Sequence, residues 1–231
     1  PFFTGAFETS YSNDNLISHA IAIGGPIEKN TSFRIAAIKS LQDGYRQNLF
    51  LNTSNSNKKD ETVLRSKIYW SPLQNFSVKL TNIISDFDNN YDQWSTNNNE
   101  SLYTFSDRLG KDTQKSIANS INISLPIIFN FKSNFKFSNL DASLIHSYDG
   151  DWGNDDFWLN EYGFDPDIEG YNYSFFDSTF RKKTITSNEF TIKSTKNLYL
   201  PLNSNIIAGI YKSNIEQIDS ANGYLYGGEA T

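Results

Sequence analysis

Apolar and polar residues alternate one for one along much of the chain, the period of a β-strand with two unlike faces. Within 61–70, Leu64, Ile68 and Trp70 share one face while Arg65 and Lys67 share the other. Phe76, Val78 and Leu80 alternate with Ser77, Lys79 and Thr81. Ile117, Ile121 and Ile123 alternate with Ala118, Ser120, Asn122 and Ser124, and Phe190 and Ile192 with Glu189, Thr191 and Lys193. Together with β-branched and aromatic enrichment, the pattern predicts nine strands, at about 2–12, 16–25, 31–41, 61–70, 76–86, 115–128, 135–147, 183–195 and 206–217. No stretch repeats apolar residues at i, i+3, i+4 and i+7, so the expectation is an all-β chain.

The connections sort by length. GPIEKN (25–30), SPLQN (71–75), KSN (132–134) and LPLNSN (200–205) read as tight turns built on Pro, Asn or Ser. Between them lie long polar stretches near 42–60, 87–114 and 148–182. After a short first link at 13–15, short and long connections alternate, which predicts an antiparallel up-and-down meander with two unlike ends. Greek-key sandwiches do not usually sort their loops this way, whereas outer-membrane barrels do, with short periplasmic turns and long extracellular loops. Several predicted strands reach the ~9–11 residues a tilted strand needs to cross a bilayer, longer than the ~5–6 of soluble sheets. Tyr69 and Trp70 beside SPLQN and Tyr199 beside LPLNSN suit an aromatic girdle at the short-turn end.

Composition narrows the function classes. The 231 residues carry a net charge of −6, which argues against nucleic acid as a partner. Cysteine is absent, removing disulfides and Cys-based zinc sites, and so is methionine. A mean hydropathy of −0.52 suits a barrel with long polar loops, because strands hide their apolar residues in alternate positions. Nine strands is an odd count with two open edges, whereas single-chain outer-membrane barrels have even counts and lipid tolerates no open edge. The chain is therefore expected to be part of a larger transmembrane barrel, cut before closure.

FFTGAFETSYSND, AIGGPIEKNTSFRIAAIKSLQDGYRQN and VLRSKIYWSPLQNFSVKLTNIISDFDNNYDQWS, in that order, resemble the front of the barrel of TonB-dependent outer-membrane receptors. Gly25, Pro26 and Ile27 match that family's early periplasmic turn, Arg34 and Ala36 its R-x-A alternation, and Asp43, Gly44, Tyr45 and Asn48 the opening of its next loop. Arg65, Lys67, Trp70, Pro72 and Asn75 match its next hairpin. Asp86, Asp88, Asn89, Tyr91, Asp92, Trp94 and Ser95 are similar to a D-x-D-N-x-Y-D-x-(F/W)-S loop found in a subset of the family. SYDGDWGNDDFW and FFDSTFRKKTITSNEFTIKS, with Glu189 in an S-x-E-(F/L) pattern, resemble that subset's following loop and strand. The resemblance implies a barrel of about 22 strands, too many for this chain to hold, and a plug domain carrying a TonB box that this stretch lacks. It also implies the outer membrane of a Gram-negative bacterium, contact with its lipid, no cofactor and no catalysis. Its partners would be the TonB–ExbB–ExbD complex, reached through the plug region, and a scarce imported ligand such as a ferric siderophore, a cobalamin-like cofactor or an oligosaccharide.

On the long loops, Tyr91, Trp94, Trp152, Trp158, Tyr171 and Tyr173 supply flat apolar faces, and Asp92 with neighbouring Asn and Gln supplies hydrogen-bonding groups. That mixture suits ligand stacking at one end of a rigid scaffold. Arg65, Lys67, Lys79 and Glu189, with Ser77, Thr81, Asn122 and Asp141, are expected on the lumen side. Asp86, Asp88, Asn90 and Asp92 follow D-x-D-x-N-x-D, a weak calcium pattern: an EF-hand wants Gly where Tyr91 stands and a bidentate Glu where Asn97 stands. His19 and His146 lie in separate strands outside any catalytic motif. Two other architectures remain open at this point: a soluble carbohydrate-binding β-sandwich, holding calcium through Asp86, Asp88 and Asp92, and a small closed barrel acting as a porin-like channel or adhesin.

Overall fold

The computed structural model describes residues 2–96, 100–127, 130–170, 172–194 and 204–225. Along the chain run β1 (Thr4–Ser12), β2 (Leu16–Glu28), β3 (Thr31–Gln42), β4 (Gln47–Asn48), β5 (Lys59–Leu73), β6 (Phe76–Tyr91), β7 (Tyr103–Thr104), β8 (Gly110–Ile127) and β9 (Phe131–Asp149). Two short helices, α1 (Asp155–Tyr162) and α2 (Pro166–Glu169), precede β10 (Phe175–Ser194) and β11 (Ile207–Leu225). All the long strands form one nine-stranded antiparallel sheet in the order β1-β2-β3-β5-β6-β8-β9-β10-β11, a meander in chain order. The other sheet among the described residues is the two-residue pairing of β4 with β7, too small for a sandwich to close against.

Turn chemistry explains the tight ends. Asp14 and Asn15 both take positive φ, 58° and 54°, and Leu16 N donates to Asn13 O at 3.2 Å, the mirror-image turn that Asn and Asp tolerate. Asn75 and Asn130 adopt the same left-handed conformation between β5 and β6 and between β8 and β9. Tyr199 and residues 200–203 of the link 200–205 lie outside the described residues.

The strands run further than alternation indicates. β6 continues to Tyr91, β8 begins at Gly110, and β10 begins at Phe175. Near the ends of β6 and β8 both faces are largely polar, with Asp86, Asp88 and Asn90 against Ser85, Phe87 and Asn89, and at the start of β10 Phe175, Phe176 and Phe180 fall on both faces, so no alternation marks these ends; the ladder continues because the neighbours extend too. The loops contract accordingly to 43–58, 92–109 and 150–174, from the expected 42–60, 87–114 and 148–182. Strand length grows from 9 residues in β1 to 20 in β10, which at about 3.3 Å per residue is roughly 65 Å.

Each face of the sheet has a distinct character. One carries Phe33, Ile35, Ile68, Trp70, Leu80, Ile121, Phe135 and Phe190; the other carries Arg34, Arg65, Lys67, Lys79, Lys136 and Glu189. The apolar belt drifts across the hydrogen-bonded rows. The row that starts at Phe7 and Ile21 passes Leu64, Ile84 and Ile117 and ends at Asp141, Thr184 and Glu216. A lower row, Trp70, Val78, Ile123, Phe135, Phe190 and Ile210, is apolar to its far end. A flat apolar layer crossing strands tilted by about 40° cuts each successive strand on the order of one residue lower, which gives such a drift. Asp141, expected among the polar-face residues, stands instead on the apolar face beside Ile117, above the belt, and accepts from Thr184 Oγ1 at 3.0 Å. Two-residue parity with Phe135 and Phe137 already places it there; the expectation followed its charge, and the belt has dropped below this point on β9.

Burial is inverted relative to a water-soluble sheet. Among the described residues the one buried hydrophobic side chain is Phe157, while Asn48, Ser56 and Thr104 are fully buried and Asp92 and Asp151 are buried. Ile and Phe side chains on the strands are exposed, and burial concentrates where the long loops meet.

Candidate functional site

The three long loops knit into one body at the end of the sheet away from the tight turns. The first loop reaches the second through a parallel pairing of β4 with β7, in which Gln47 stands beside Tyr103 and Asn48 beside Thr104. At that junction Asp92, the first residue after β6, turns inward. Its carboxylate accepts from Thr104 Oγ1 at 2.7 Å, Asn48 Nδ2 at 3.1 Å and Ser106 Oγ at 3.2 Å. Asn48 also donates to Ser106 O at 2.9 Å and accepts from Leu51 N at 2.8 Å, so one asparagine amide ties both loops. Gly44 enters this loop at φ 101°, where a Cβ would lie 2.1 Å from Asn57 Oδ1, so only glycine fits.

The second and third loops meet through a buried acidic network and a ring stack. Asp149, ending β9, accepts from Asp107 N at 3.1 Å and Asp151 N at 3.3 Å. Asp151 in turn accepts from Gly153 N, from Trp158 Nε1, and from Phe175 N at 2.8 Å. Asn154 donates to Phe105 O at 2.7 Å, and the Phe105 and Phe157 rings stack with centroids 4.4 Å apart. Burial first, then the charges of Asp151 and Asp107, push Asp149 up to about 8. Burial and then Asp151 push Asp107 up to about 6. The Arg108 guanidinium lies 4.1 Å over the Phe176 ring.

The helices of the third loop follow from local chemistry. Asn154 caps α1, accepting from Phe157 N at 2.9 Å, with Asp155 and Asp156 in the first turn and Gly163 ending the helix at φ 73°. Asp165 caps α2, Pro166 opens it and Gly170 closes it at φ 82°.

The aromatic residues expected to meet a ligand gather on this body in two groups. Trp94 Nε1 donates to Tyr91 Oη at 3.3 Å, and the Trp94 and Trp152 rings lie 6.3 Å apart. Tyr91 also meets the edge of His146 at 4.7 Å. The crevice that Tyr91, Trp94, Tyr148 and Trp152 line has a volume of about 10 Å³, room for about one water. In the second group, Trp158 stacks on Tyr173 at 5.2 Å. Tyr171 lies outside the described residues. Asp92 belongs to the loop junction, where it positions the loops and is not presented outward.

The weak calcium trio is not assembled. Asp86 pairs with Lys115 at 3.4 Å, Asp88 lies 4.0 Å from Lys58, and Asp92 is enclosed by its three donors. Among the described residues, no group of three or more His, Asp or Glu side chains is placed to hold a metal ion. His19 meets Thr9 Oγ1 at 3.1 Å, far along the sheet from His146, which faces Asp112 at 3.6 Å. Arg65, Lys67, Lys79 and Glu189 share the polar face, with Lys67 directly across from Arg34 and Glu189 across from Lys136.

Phe105, Thr104, Ser106, Asn154 and Phe157 are the residues that sequence reasoning overlooked, and Asn48 was singled out only as part of a loop opening. Asn154 and Phe157 were discoverable: Asn-Asp-Asp before an aromatic run, with Gly163 eight residues after the helix start, is a capped-helix signature. The other three have no local signal, since their partners lie 12 to 58 residues away in the chain.

No protein-family model matches the chain, and no curated protein sequence matches it. Solved structures do. The receptor in the FpvAI–pyocin S2 complex superposes with a TM-score of 0.68 at 9% identity, over 97% of this chain and 29% of that one. P. aeruginosa FpvA bound to heterologous pyoverdines gives 0.66 at 10% identity, covering 96% and 28%. The siderophore receptor PiuA from Acinetobacter baumannii gives 0.63 at 11% identity, covering 93% and 30%. The chain thus spans under a third of the length of these receptors. Its fold, a nine-strand meander with short turns at one end and knitted long loops at the other, is that of a portion of the β-barrel of TonB-dependent receptors.

Proposed function

We propose that this chain forms part of an outer-membrane receptor that captures a scarce ligand on its long loops and imports it with energy from TonB. The observation that carries the reading is the division of the sheet. Its apolar face forms a belt that crosses the rows as a tilted barrel wall would, while its other face holds Arg34, Arg65, Lys67, Lys79 and Glu189. The apolar face meets lipid of the outer membrane in a Gram-negative bacterium, and the charged face lines a wet interior. The loop body sits above the belt, on the extracellular side. Its outward aromatic residues, Trp94 and Trp152 in one group and Trp158 and Tyr173 in the other, form the ligand platform, with Tyr171 next to them in sequence. An iron chelate is the ligand class favoured by the receptors it resembles in fold. The TonB–ExbB–ExbD complex engages the receptor outside this stretch.

The test uses the intact receptor in its own cells. Deletion of its gene is expected to abolish uptake of one radioiron chelate, and a protonophore is expected to stop the same uptake in wild-type cells. Uptake that continues after the proton gradient is collapsed, or a purified protein that conducts ions as an open pore, would sink the reading in favour of a passive channel.

A further inference from the structure

The outer surface of the 150–174 lobe has a chemistry that the barrel does not require. Leu159 and Tyr162 on α1, Phe164 after it and Ile168 on α2 are all exposed, Ile168 at 83%. Phe164 stands nearly parallel to Tyr162 and to Tyr173, at 14° to each, with centroids 6.2 and 5.8 Å away. Trp158 extends this stepped shelf from beneath, 5.2 Å from Tyr173. Around it, residues 150–174 include seven Asp or Glu and no Lys, Arg or His. Four of the acids serve the lobe itself. Asp151 is buried, Asp155 accepts from Tyr173 N, Asp165 caps α2, and Glu169 accepts from Tyr173 Oη at 2.7 Å. The carboxylates of Asp156, Glu161 and Asp167 are exposed and have no partner among the described residues.

Contiguous exposed apolar surface marks a docking site, and the charge around it selects the guest. Aromatic faces attract a cation, uncompensated carboxylates raise its local concentration, and no basic side chain on the lobe competes. An anionic guest meets only repulsion here. We propose that the α1–α2 lobe docks a protonated amine carried on an apolar chain, so that the receptor's ligand is a small amine-bearing, cationic molecule. This rests on the transport reading for the word ligand, but the docking chemistry is separately testable.

The experiment uses the intact receptor in detergent and three iron complexes, with tryptophan quenching as the binding readout. The probes are ferric desferrioxamine B, which carries one free alkylammonium, its N-acetyl derivative, which has the same iron centre without that charge, and polyanionic ferric enterobactin. The expected order is the amine complex at least about tenfold tighter than its acetyl derivative, with enterobactin weakest. The preference is expected to shrink as salt rises from about 0.05 to 0.5 M, since the carboxylates are exposed. Glu161→Gln combined with Asp167→Asn, both surface changes, should narrow the preference while the loop amides keep their exchange protection. Equal binding of the amine and acetyl complexes, or tighter binding of enterobactin, overturns the proposal. Import of enterobactin alone would leave the transport reading standing without this one. Docking of the amine complex with no import would support this one and remove the other.

Discussion

Replacing Asp92 with Ala should detach the first two long loops from each other while leaving the sheet intact. The carboxylate takes three donors, and two of them, Thr104 at 0% and Ser106 at 3% relative exposure, lose the one acceptor their hydroxyls have among the described residues. Asn48 keeps its bond to Ser106 O and suffers less. Leaving a buried donor unpaired costs about 1–3 kcal/mol, so two orphaned hydroxyls come to roughly 4 kcal/mol. At about 1.4 kcal/mol per factor of ten, that is close to a thousandfold in the opening equilibrium of the junction. Hydrogen exchange on the intact protein reads it at Asn48 N and Thr53 N, which bond to each other's carbonyls, and at Leu49 N, which bonds to Thr104 O. Those amides should lose protection by about that factor, or reach the unprotected rate if the junction is less stable than this. Asp86→Ala, which removes only an exposed pair with Lys115, should change them by less than about threefold. If the Asp92 variant also moves them by less than threefold, the carboxylate is not what joins the loops.

Other perturbations bear on neighbouring contacts. Asp149 and Asp107 hold their protons in the folded loop body to about pH 8 and about pH 6, above the ordinary carboxylate range near 4, so folding takes up protons between those values. The contribution is full below about pH 4 and declines as pH rises through 8; protection of Gly153 N and Phe175 N should fall over that window, and Asp149→Asn should flatten the slope. Asn154→Ala removes the α1 cap and the bond to Phe105 O, a loss of about 2 kcal/mol, expected as faster exchange at Phe157 N and Trp158 N. Gly110→Ala should weaken the sheet by about 2 kcal/mol or more, seen as a lower unfolding temperature. A Cβ there would sit 2.3 Å from Ser147 O and 2.6 Å from Tyr91 O, so three strands would have to part.

What was legible in the sequence was whatever two-residue periodicity can carry. All nine long strands, their order and the faces of Leu64, Ile68, Trp70, Lys67 and Lys79 follow from alternation, and Asn15 and Asn75 stand left-handed in their expected turns; KSN (132–134), expected as a turn, lies inside β9, and the turn before it falls at Asn130. Alternation fails where both sides of a strand are wet. That is why the ends at Tyr91 and Gly110 were expected several residues short; β10 was expected short because Phe175, Phe176 and Phe180 fall on both faces, and Asp141 was assigned by its charge against its parity with Phe135 and Phe137. The site was legible as a list of aromatic residues but not as a structure. Nothing local in Asn48 or Thr104 announces that both will close over Asp92, because the contact is made by loops whose separation in sequence is bridged only after the strands have registered.

The inverted burial ties these features together. A soluble sheet is organised by its hydrophobic core, and its loops are free to vary. Here the strand surfaces have no such core, since Ile21, Ile68, Phe135 and Ile210 point outward, and the place where side chains are packed away from solvent is the loop body. That body is held by directional bonds to Asp92, Asp149, Asp151 and Asn154, with the Phe105–Phe157 stack as its apolar centre. Directional bonds fix positions more narrowly than apolar contact does, at the expense of desolvating carboxylates, which is the physical reason that Asp149 and Asp107 hold their protons. The long upper ends of β6, β8, β9 and β10 make this possible by presenting paired backbone well above the belt, so that the loops are short spans between rigid posts. Hydrogen bonding stabilises the upper half of the wall and holds the aromatic shelf at Tyr162 and Phe164 at a fixed position, while under the proposed function lipid contact would stabilise the lower half.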